Sequence, residues 1–501
     1  MRPLLLFVAM FGITGRATTV RPGTNPALAD LHNQPLSTLE QRLGQLDAQL
    51  SLLAHYSLRS GIGTVGYRSA THNRSTHTEW IHIELSEEGP IDQIVLVPTI
   101  WRDTDVGFKD DGFPLEFNIF VGTNKDPNGA MVASFGPQDR LLPRIAPLII
   151  PCSKPMASWV RVEATALSPR AWDGLFVLQL SEILVFSGEE NIALGQSVKT
   201  SPGSYDSTAR KRQALVDGFV PYLMNAAQGD QSIAFVSTPG IGDQPTLTID
   251  LGTIHPLNRL HLHATDLSDT VPTSTPAGFG IPKRLLVEGA THPDYSDVIP
   301  LVDYRNSSVF DTGPIIMRRF PETPCRYVRF IAVEPYMSIA DPNKSQIAFA
   351  EIELFSKGQN IALEKPMRAD FEVENQNRSF SALTDGRNLY GQILPIRAWL
   401  NELAHRHDLE AERPLLLLEL SRRYARQKSN LRLMSWLTAL LAAGILFTIL
   451  VDRIIRMRQL TRMKERFAAD LHDELGANLH TIGLLGDLAK EAVDSPDELV
   501  E

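Results

Sequence analysis

The chain has 501 residues, more than one hydrophobic core usually organises, so several domains are expected. Hydrophobic residues at 43% and charged residues at 21% fit folded material, and a net charge of −10 argues against a direct nucleic-acid binder. Only two cysteines, Cys152 and Cys325, occur, which excludes a disulfide-stapled scaffold and leaves their pairing open.

The first seventeen residues, "MRPLLLFVAMFGITGRA", carry one basic residue, an apolar run from Pro3 to Ile13 and small residues at its end. This layout predicts a signal peptide over 1–17, with an uncleaved anchor as the alternative. Between 27 and 59, Leu36, Leu39, Leu43, Leu46, Leu50 and Leu53 recur at steps of three and four, a heptad-like seam on a short helix.

The next part of the chain repeats itself. "SEILVFSGEENIALGQSV" from Ser181 matches "AEIELFSKGQNIALEKPM" from Ala350, 169 residues on, and "IHIELSEEGPIDQIVL" from Ile81 matches "LTIDLGTIHPLNRLHL", 166 residues on. "WVRVEA" at Trp159 matches "YVRFIAV" at Tyr327. Apolar and polar residues alternate in "IHIEL" and "LTIDL", and Gly/Pro joints recur, so each copy reads as an antiparallel β-sandwich.

These blocks resemble the discoidin or coagulation-factor type C family, whose fold is a galactose-binding-like jelly roll. The resemblance rests on "EWIHIEL", "TLTIDL", the late "VR" strand, the closing "SEILVF" and "AEIELF", and "NIAL" followed by "ALVDG" at Ala214, and covers about residues 60 to 358. It implies jelly-roll units over 60–188 and 189–358, with carbohydrate or another cell-surface ligand held by loops at one end. The cysteine pair that ties the termini of many members is absent. A second "NIAL", at Asn360, followed by "ALTDG" at Ala382, repeats the opening of a unit a third time and predicts a partial repeat or bridge over 359–388.

Two places in this region could carry ligand chemistry. "TIWRDTDVGFKDDGF" offers Trp101 and Phe108 as stacking surfaces beside Asp103, Asp105, Asp110 and Asp111, which suit sugar hydroxyls or calcium. A solvated loop with ordinary aromatic packing is the plainer reading. Asp217, in "LVDG", is a turn residue first and a calcium ligand second.

Helix follows. Ile393, Ile396, Leu400, Leu403 and His407 form a second seam in a juxtamembrane helix over 389–432, where Pro414 should introduce a kink. The two seams could pack as a pair, form a symmetric dimer, or pack on the sandwich. "LMSWLTALLAAGILFTILV", 433–451, has no charge and reaches about 28 Å at 1.5 Å per residue, enough for a transmembrane helix. Basic residues flank both ends almost equally, so the N-terminal signal sets the expectation: repeats exported, C-terminus cytoplasmic, a single pass through the cell (inner) membrane.

Beyond the span, Leu460, Met463, Phe467, Leu471, Leu475, Leu479 and Ile482 make a seam that needs a partner helix, and "DSPDE" from Asp494 predicts a break. His472 borders this seam, with Asp473 and Glu474 after it. A histidine nucleophile needs one free ring nitrogen and a carboxylate able to take or orient the proton on the other, which this neighbourhood could supply.

"ERFAADLHDELGANLHTIGLL" resembles the phosphoacceptor box of sensor histidine kinases, matching at Glu465, Arg466, Asp470, Leu471, His472, Asp473, Leu475 and Gly476. The resemblance implies that His472 is the phosphoacceptor, Asp473 its general base and Glu474 a helper, in a cytoplasmic dimerisation helix over 452–501. Ala477 stands where a Gln or His of strongly phosphatase-active members would sit. It further implies a homodimer, a response regulator as partner, and ATP with magnesium supplied by a kinase domain, since no box of an ATP-binding domain occurs in these residues. The sequence-level expectation is therefore a membrane-bound two-component sensor, or its N-terminal part, with a membrane-anchored carbohydrate or adhesion receptor as the alternative.

Overall fold

The computed structural model describes residues 31, 33–58, 65–103, 107–207, 209–265, 278–306, 313–339, 341–372 and 379–494, of which 102, 103 and 491–494 are described by backbone alone. The expected signal peptide lies outside the described residues. The chain forms two units, 1–417 and 418–501. The first is mostly antiparallel β, and one long helix, Ile396–Asp494, carries the chain out of it.

Strand Glu79–Pro90 alternates as its sequence predicts, burying Ile81, Ile83 and Leu85. It lies in a five-stranded sheet ordered Ser197–Thr200, Glu79–Pro90, Met156–Ala166, Glu116–Gly122, Ala130–Phe135. A four-stranded sheet pairs Glu190–Asn191, Glu182–Ser187, Gln93–Val97 and Leu148–Pro151. Ile94, Leu96, Ile183 and Val185 from the second sheet meet Ile81 and Ile83 from the first in one core. The second repeat builds its core the same way, but Thr246–His263 and Ile315–Glu334 run on as single long strands where the first copy breaks each into two. Cys152 and Cys325 fall in different copies, and both are free thiols.

The second "NIAL" is explained by pairing rather than by a third copy. Ser197–Thr200, after the first "NIAL", adds as an edge strand to Glu79–Pro90, and Met367–Ala369, after the next one, adds to Thr246–His263. Each motif therefore leads into a strand that closes the copy before it, so pairing does not follow the expected boundary at 188/189, and Met367–Ala369 belongs to the second copy's sheet. The motif residues do the fastening. Asn191 Oδ1 accepts the Val185 and Ala193 N–H groups at 3.1 and 3.2 Å, and Asn360 Oδ1 accepts those of Leu354 and Ala362 at 3.2 and 3.1 Å.

The same logic explains "DG". Glu182 and Glu351 are fully buried, and their carboxylates accept the N–H of Gly218 at 3.0 Å and of Gly386 at 3.1 Å. Gly218 has φ of +86°, and a Cβ there would stand 2.8 Å from that of Met317, so glycine is required on both counts. Burial first, then the charge of Asp217, holds the Glu182 carboxyl well above the carboxylate range. The folded state thus binds this proton more tightly than the unfolded chain. Its stabilising contribution is full below the unfolded pKa of about 4.3 and is lost as pH rises toward the folded value. Glu182→Gln keeps an acceptor for Gly218 and removes the ionisation, so it should gain about 1–3 kcal/mol at pH 8 and little at pH 4. Thermal melts at the two pH values check this.

The second seam packs on the sandwich: Ile393, Leu400 and Leu403, with Ile396 against them, share a cluster with Val95, Val97 and Leu184 of the first copy, while the two helices meet through charged side chains. Leu39 and Leu46 of helix Leu36–Leu50 are fully buried, as are Leu403 and Leu416 of the long helix. Arg42 holds Glu412 bidentately at 2.8 and 2.6 Å, and Arg413 reaches Asp47 at 2.8 Å. Arg406 donates to the carbonyls of Leu50, Ala54 and Leu53 at 2.5, 2.6 and 2.9 Å, satisfying groups that a helix end leaves open. Pro414 lies within the helix without ending it, and residues after Asp494 are outside the described ones.

Candidate functional site

The described residues on either side of 104–106 pair as two short strands rather than lying as an open loop. Strand Ile100–Asp103 pairs with Gly107–Asp110, setting Trp101 opposite Lys109 and Phe108 opposite Arg102. Directly paired residues share a face, so Trp101 and Phe108 point to opposite sides and make no common stacking surface. Phe108 packs against a third apolar cluster, with Ile100 in it. Asp110 accepts the Arg144 N–H at 3.2 Å, and burial pushes its carboxyl upward. Asp111, almost fully buried, accepts the Ala171 N–H at 2.6 Å. Two of the four acids expected to offer oxygens to calcium are thus turned to backbone. Asp105 lies outside the described residues, and Asp103 is described by backbone alone. Asp217 Oδ1 accepts the Phe219 N–H at 3.0 Å, the turn role expected first.

Through Ala171, Asp111 positions a surface that the sequence reading missed. Trp172 is 65% exposed, with the Arg170 guanidinium 4.6 Å from its ring centroid and Asp173 held by Arg170 at 2.6 Å. Nearby, Arg68 lies 4.2 Å from the ring centroid of exposed Tyr205. Burial first, then Arg210 and Arg170, lower the Arg68 pKa, so three guanidinium groups share this end of the first copy. Exposed aromatic faces beside fixed donors are what a sugar ring needs: apolar contact for one face, and hydrogen bonds for its hydroxyls or carboxylate. The signal in the sequence was "SPRAWDGL", an aromatic in a turn-rich stretch.

A second group lies where the two copies meet. His261 and His263 stand two apart on one strand, and Glu353 stands on the adjacent strand directly opposite His261. Glu353 Oε2 is 3.2 Å from His261 Nδ1 and 2.9 Å from His263 Nε2. Burial drives the Glu353 carboxyl up, but its hydrogen bonds with both imidazoles outweigh that and hold it well below the usual range. Burial pushes His261 down to about 4. His261 and Glu353 line a cleft of about 740 Å³, together with Phe186, Arg259, Asn360 and Ile393. "HLH" beside "AEIELF" was the available signal, and it was hidden because alternation alone reads as an ordinary strand.

In the second unit His472 is 88% exposed, and its Nδ1 lies 3.9 Å from Asp473 Oδ1. Glu474 is exposed as well. The seam residues Leu460, Met463, Phe467, Leu471, Leu475, Leu479 and Ile482 are all exposed, so this apolar stripe is uncovered in the single chain. The Leu433–Val451 stretch is exposed along its length, and the helix is the one described element long and apolar enough to cross a membrane.

No family model and no curated protein matches the chain. Among solved structures it is similar to a glycoside hydrolase 29 family member from an unknown rumen bacterium, at 11% identity over 65% of this chain and 45% of that one, with a TM-score of 0.18. It is also similar to a fucolectin from striped bass, Morone saxatilis, serum, at 14% identity over 62% of this chain and 97% of that one, TM-score 0.19. A third is the CBM32-1 and CBM32-2 domains of Clostridium perfringens ZmpB in complex with GalNAc, at 10% identity over 57% and 82%, TM-score 0.17. The chain spans less than half the length of the hydrolase.

Proposed function

We propose that this protein is a membrane-anchored sensor. Its repeats bind a carbohydrate on one side of the bilayer, Leu433–Val451 crosses it, and His472 accepts a phosphoryl group on the other. The observation that carries the reading is the single helix Ile396–Asp494, which runs without interruption from the fully buried Trp399 to the fully presented His472. A phosphoacceptor must be reachable by two partners in turn, a nucleotide-bearing domain and a response-regulator aspartate, and exposure on a helix face meets that need.

In this reading the exposed stripe from Leu460 to Ile482 is covered by a second copy of the chain, giving a dimer whose arrangement the ligand biases. Asp473 is the general base for His472, with Glu474 beside it. The ATP and magnesium belong to a kinase domain that meets this helix. An anchored adhesion receptor without phosphoryl transfer is the second reading, and the Trp172 and Tyr205 surface favours it equally.

The ligand site in this proposal is Trp172, Tyr205, Arg68 and Arg170, with the two exposed rings as stacking faces and the guanidinium groups as donors to sugar oxygens. A glycan array including uronic and sialic acids, read with the full chain in detergent, tests it. Trp172→Ala should weaken binding roughly tenfold, since one lost stacking face with its buried area is worth a little over 1 kcal/mol. Binding unchanged in Trp172→Ala would move the site elsewhere. Phosphotransfer to His472 is tested separately, by labelling of the native and His472→Gln chains.

A further inference from the structure

The two copies of the repeat give an internal control for the His261, His263 and Glu353 cluster. In the first copy Leu184 pairs directly with Val95, and Glu182 with Val97. In the second, Glu353 pairs with His261, and Glu351 with His263. The buried glutamate that accepts the glycine N–H is thus common to both copies, whereas Val95, Val97 and Leu184 have become His261, His263 and Glu353. In the first copy the three apolar residues pack, with Trp399 and Leu403, into an ordinary cluster. The fold therefore does not require polar groups at these positions. Placing a carboxylate and two imidazoles there costs desolvation that the apolar set avoids, so their presence needs a reason other than packing.

We propose that His261, His263 and Glu353 bind a divalent transition-metal ion of the zinc class, with an open coordination position facing the cleft. One ligand atom from each residue lies within 4.8 Å of the others. The two measured separations from Glu353 Oε2, 3.2 and 2.9 Å, are close to the edge of about 3.3 Å expected for a tetrahedron with bonds of about 2.0 Å. Two imidazoles and one carboxylate suit zinc and its neighbours better than calcium or magnesium, which prefer all-oxygen sets. The strand register supplies the geometry: His261 and His263 share a face because they are two apart, and Glu353 reaches between them from the next strand.

Supporting contacts are in place around the three side chains. Phe355 lies with its ring centroid 4.6 Å from that of His261, and Asn360 Nδ2 donates to Glu353 Oε1 at 3.5 Å, so His261 and Glu353 each have a contact besides the atoms that would ligate the metal. His263 is buried, while His261 and Glu353 reach the cleft, which leaves that side for water or a ligand atom. This inference stands apart from the proposed carbohydrate surface and from His472, and shares no residue with either.

The test uses the full chain in detergent micelles, stripped with a chelator and titrated with Zn²⁺ against a chromophoric competitor, then with Co²⁺ by visible absorption. One equivalent of metal and the intense absorption of four-coordinate Co²⁺ are expected. The variant His261→Val/His263→Val/Glu353→Leu restores the residues of the first copy and should fold by circular dichroism. It should lose metal affinity by roughly a hundredfold or more. Glu353→Gln, which keeps the volume, is the second variant and should also lose the equivalent, with the wild-type melting temperature in the absence of metal. A native chain that takes up no metal, or variants that keep the same equivalent, overturns the proposal.

Discussion

The full chain carrying His472→Gln should take no label when an ATP-binding kinase domain is supplied in trans with γ-labelled ATP and magnesium, whereas the native chain is labelled at an acid-labile nitrogen. Glutamine keeps the polarity and helix propensity of the exposed position but offers no imidazole nitrogen to attack phosphorus. His472 is 88% exposed, so secondary structure by circular dichroism should be unchanged. Asp473→Asn separates roles within the same experiment. If Asp473 takes or orients the proton on the second ring nitrogen, labelling should slow by about 10²–10⁴-fold without being abolished. Equal labelling of the His472→Gln and native chains would remove the phosphoacceptor assignment and leave the receptor reading.

Trp399→Ala should produce the largest loss of stability among single changes in the first unit. Trp399 is fully buried, and its ring lies edge-on to Tyr222 at 6.3 Å between centroids. It shares a cluster with Val95, Val97, Leu184 and Leu403, so truncation opens a cavity between the start of the helix and the sheet of the first copy. A cost of about 3–5 kcal/mol is expected, a large part of a typical domain's stability. Thermal unfolding of the first unit's β signal measures it. The helical signal of the second unit should persist through that transition, because Trp399 has no part in it. An unaltered melting temperature would mean that this contact does not hold the helix start to the sheet.

Much of the architecture was legible from local pattern. Alternation in "IHIEL" and "LTIDL" named the strands, the leucine steps named helix Leu36–Leu50, and the uncharged run from Leu433 to Val451 stood out by length alone. These features are set by periods of two and 3.6 residues, which depend on near neighbours only. The candidate sites were harder to read. Trp101 and Phe108 sit close in sequence, yet strand register turns them to opposite faces. The Trp172 and Tyr205 surface draws on residues more than a hundred positions from Arg68, and no local spacing announces that.

By itself, then, the sequence determined the repeat, the strand content, the membrane-length helix and the position of His472 beside Asp473 on a helical seam. Tertiary structure alone decided that "NIAL" closes a copy instead of opening one, and that the two helices meet through Arg42, Glu412 and Arg406 while the second seam packs on the first copy's sheet. It also decided that His261, His263 and Glu353 converge. The physical reason is common to all three. Strand partners, helix partners and ligand clusters are fixed by burial and hydrogen-bond satisfaction across long sequence distances, whereas a one-dimensional pattern records only which face each residue prefers.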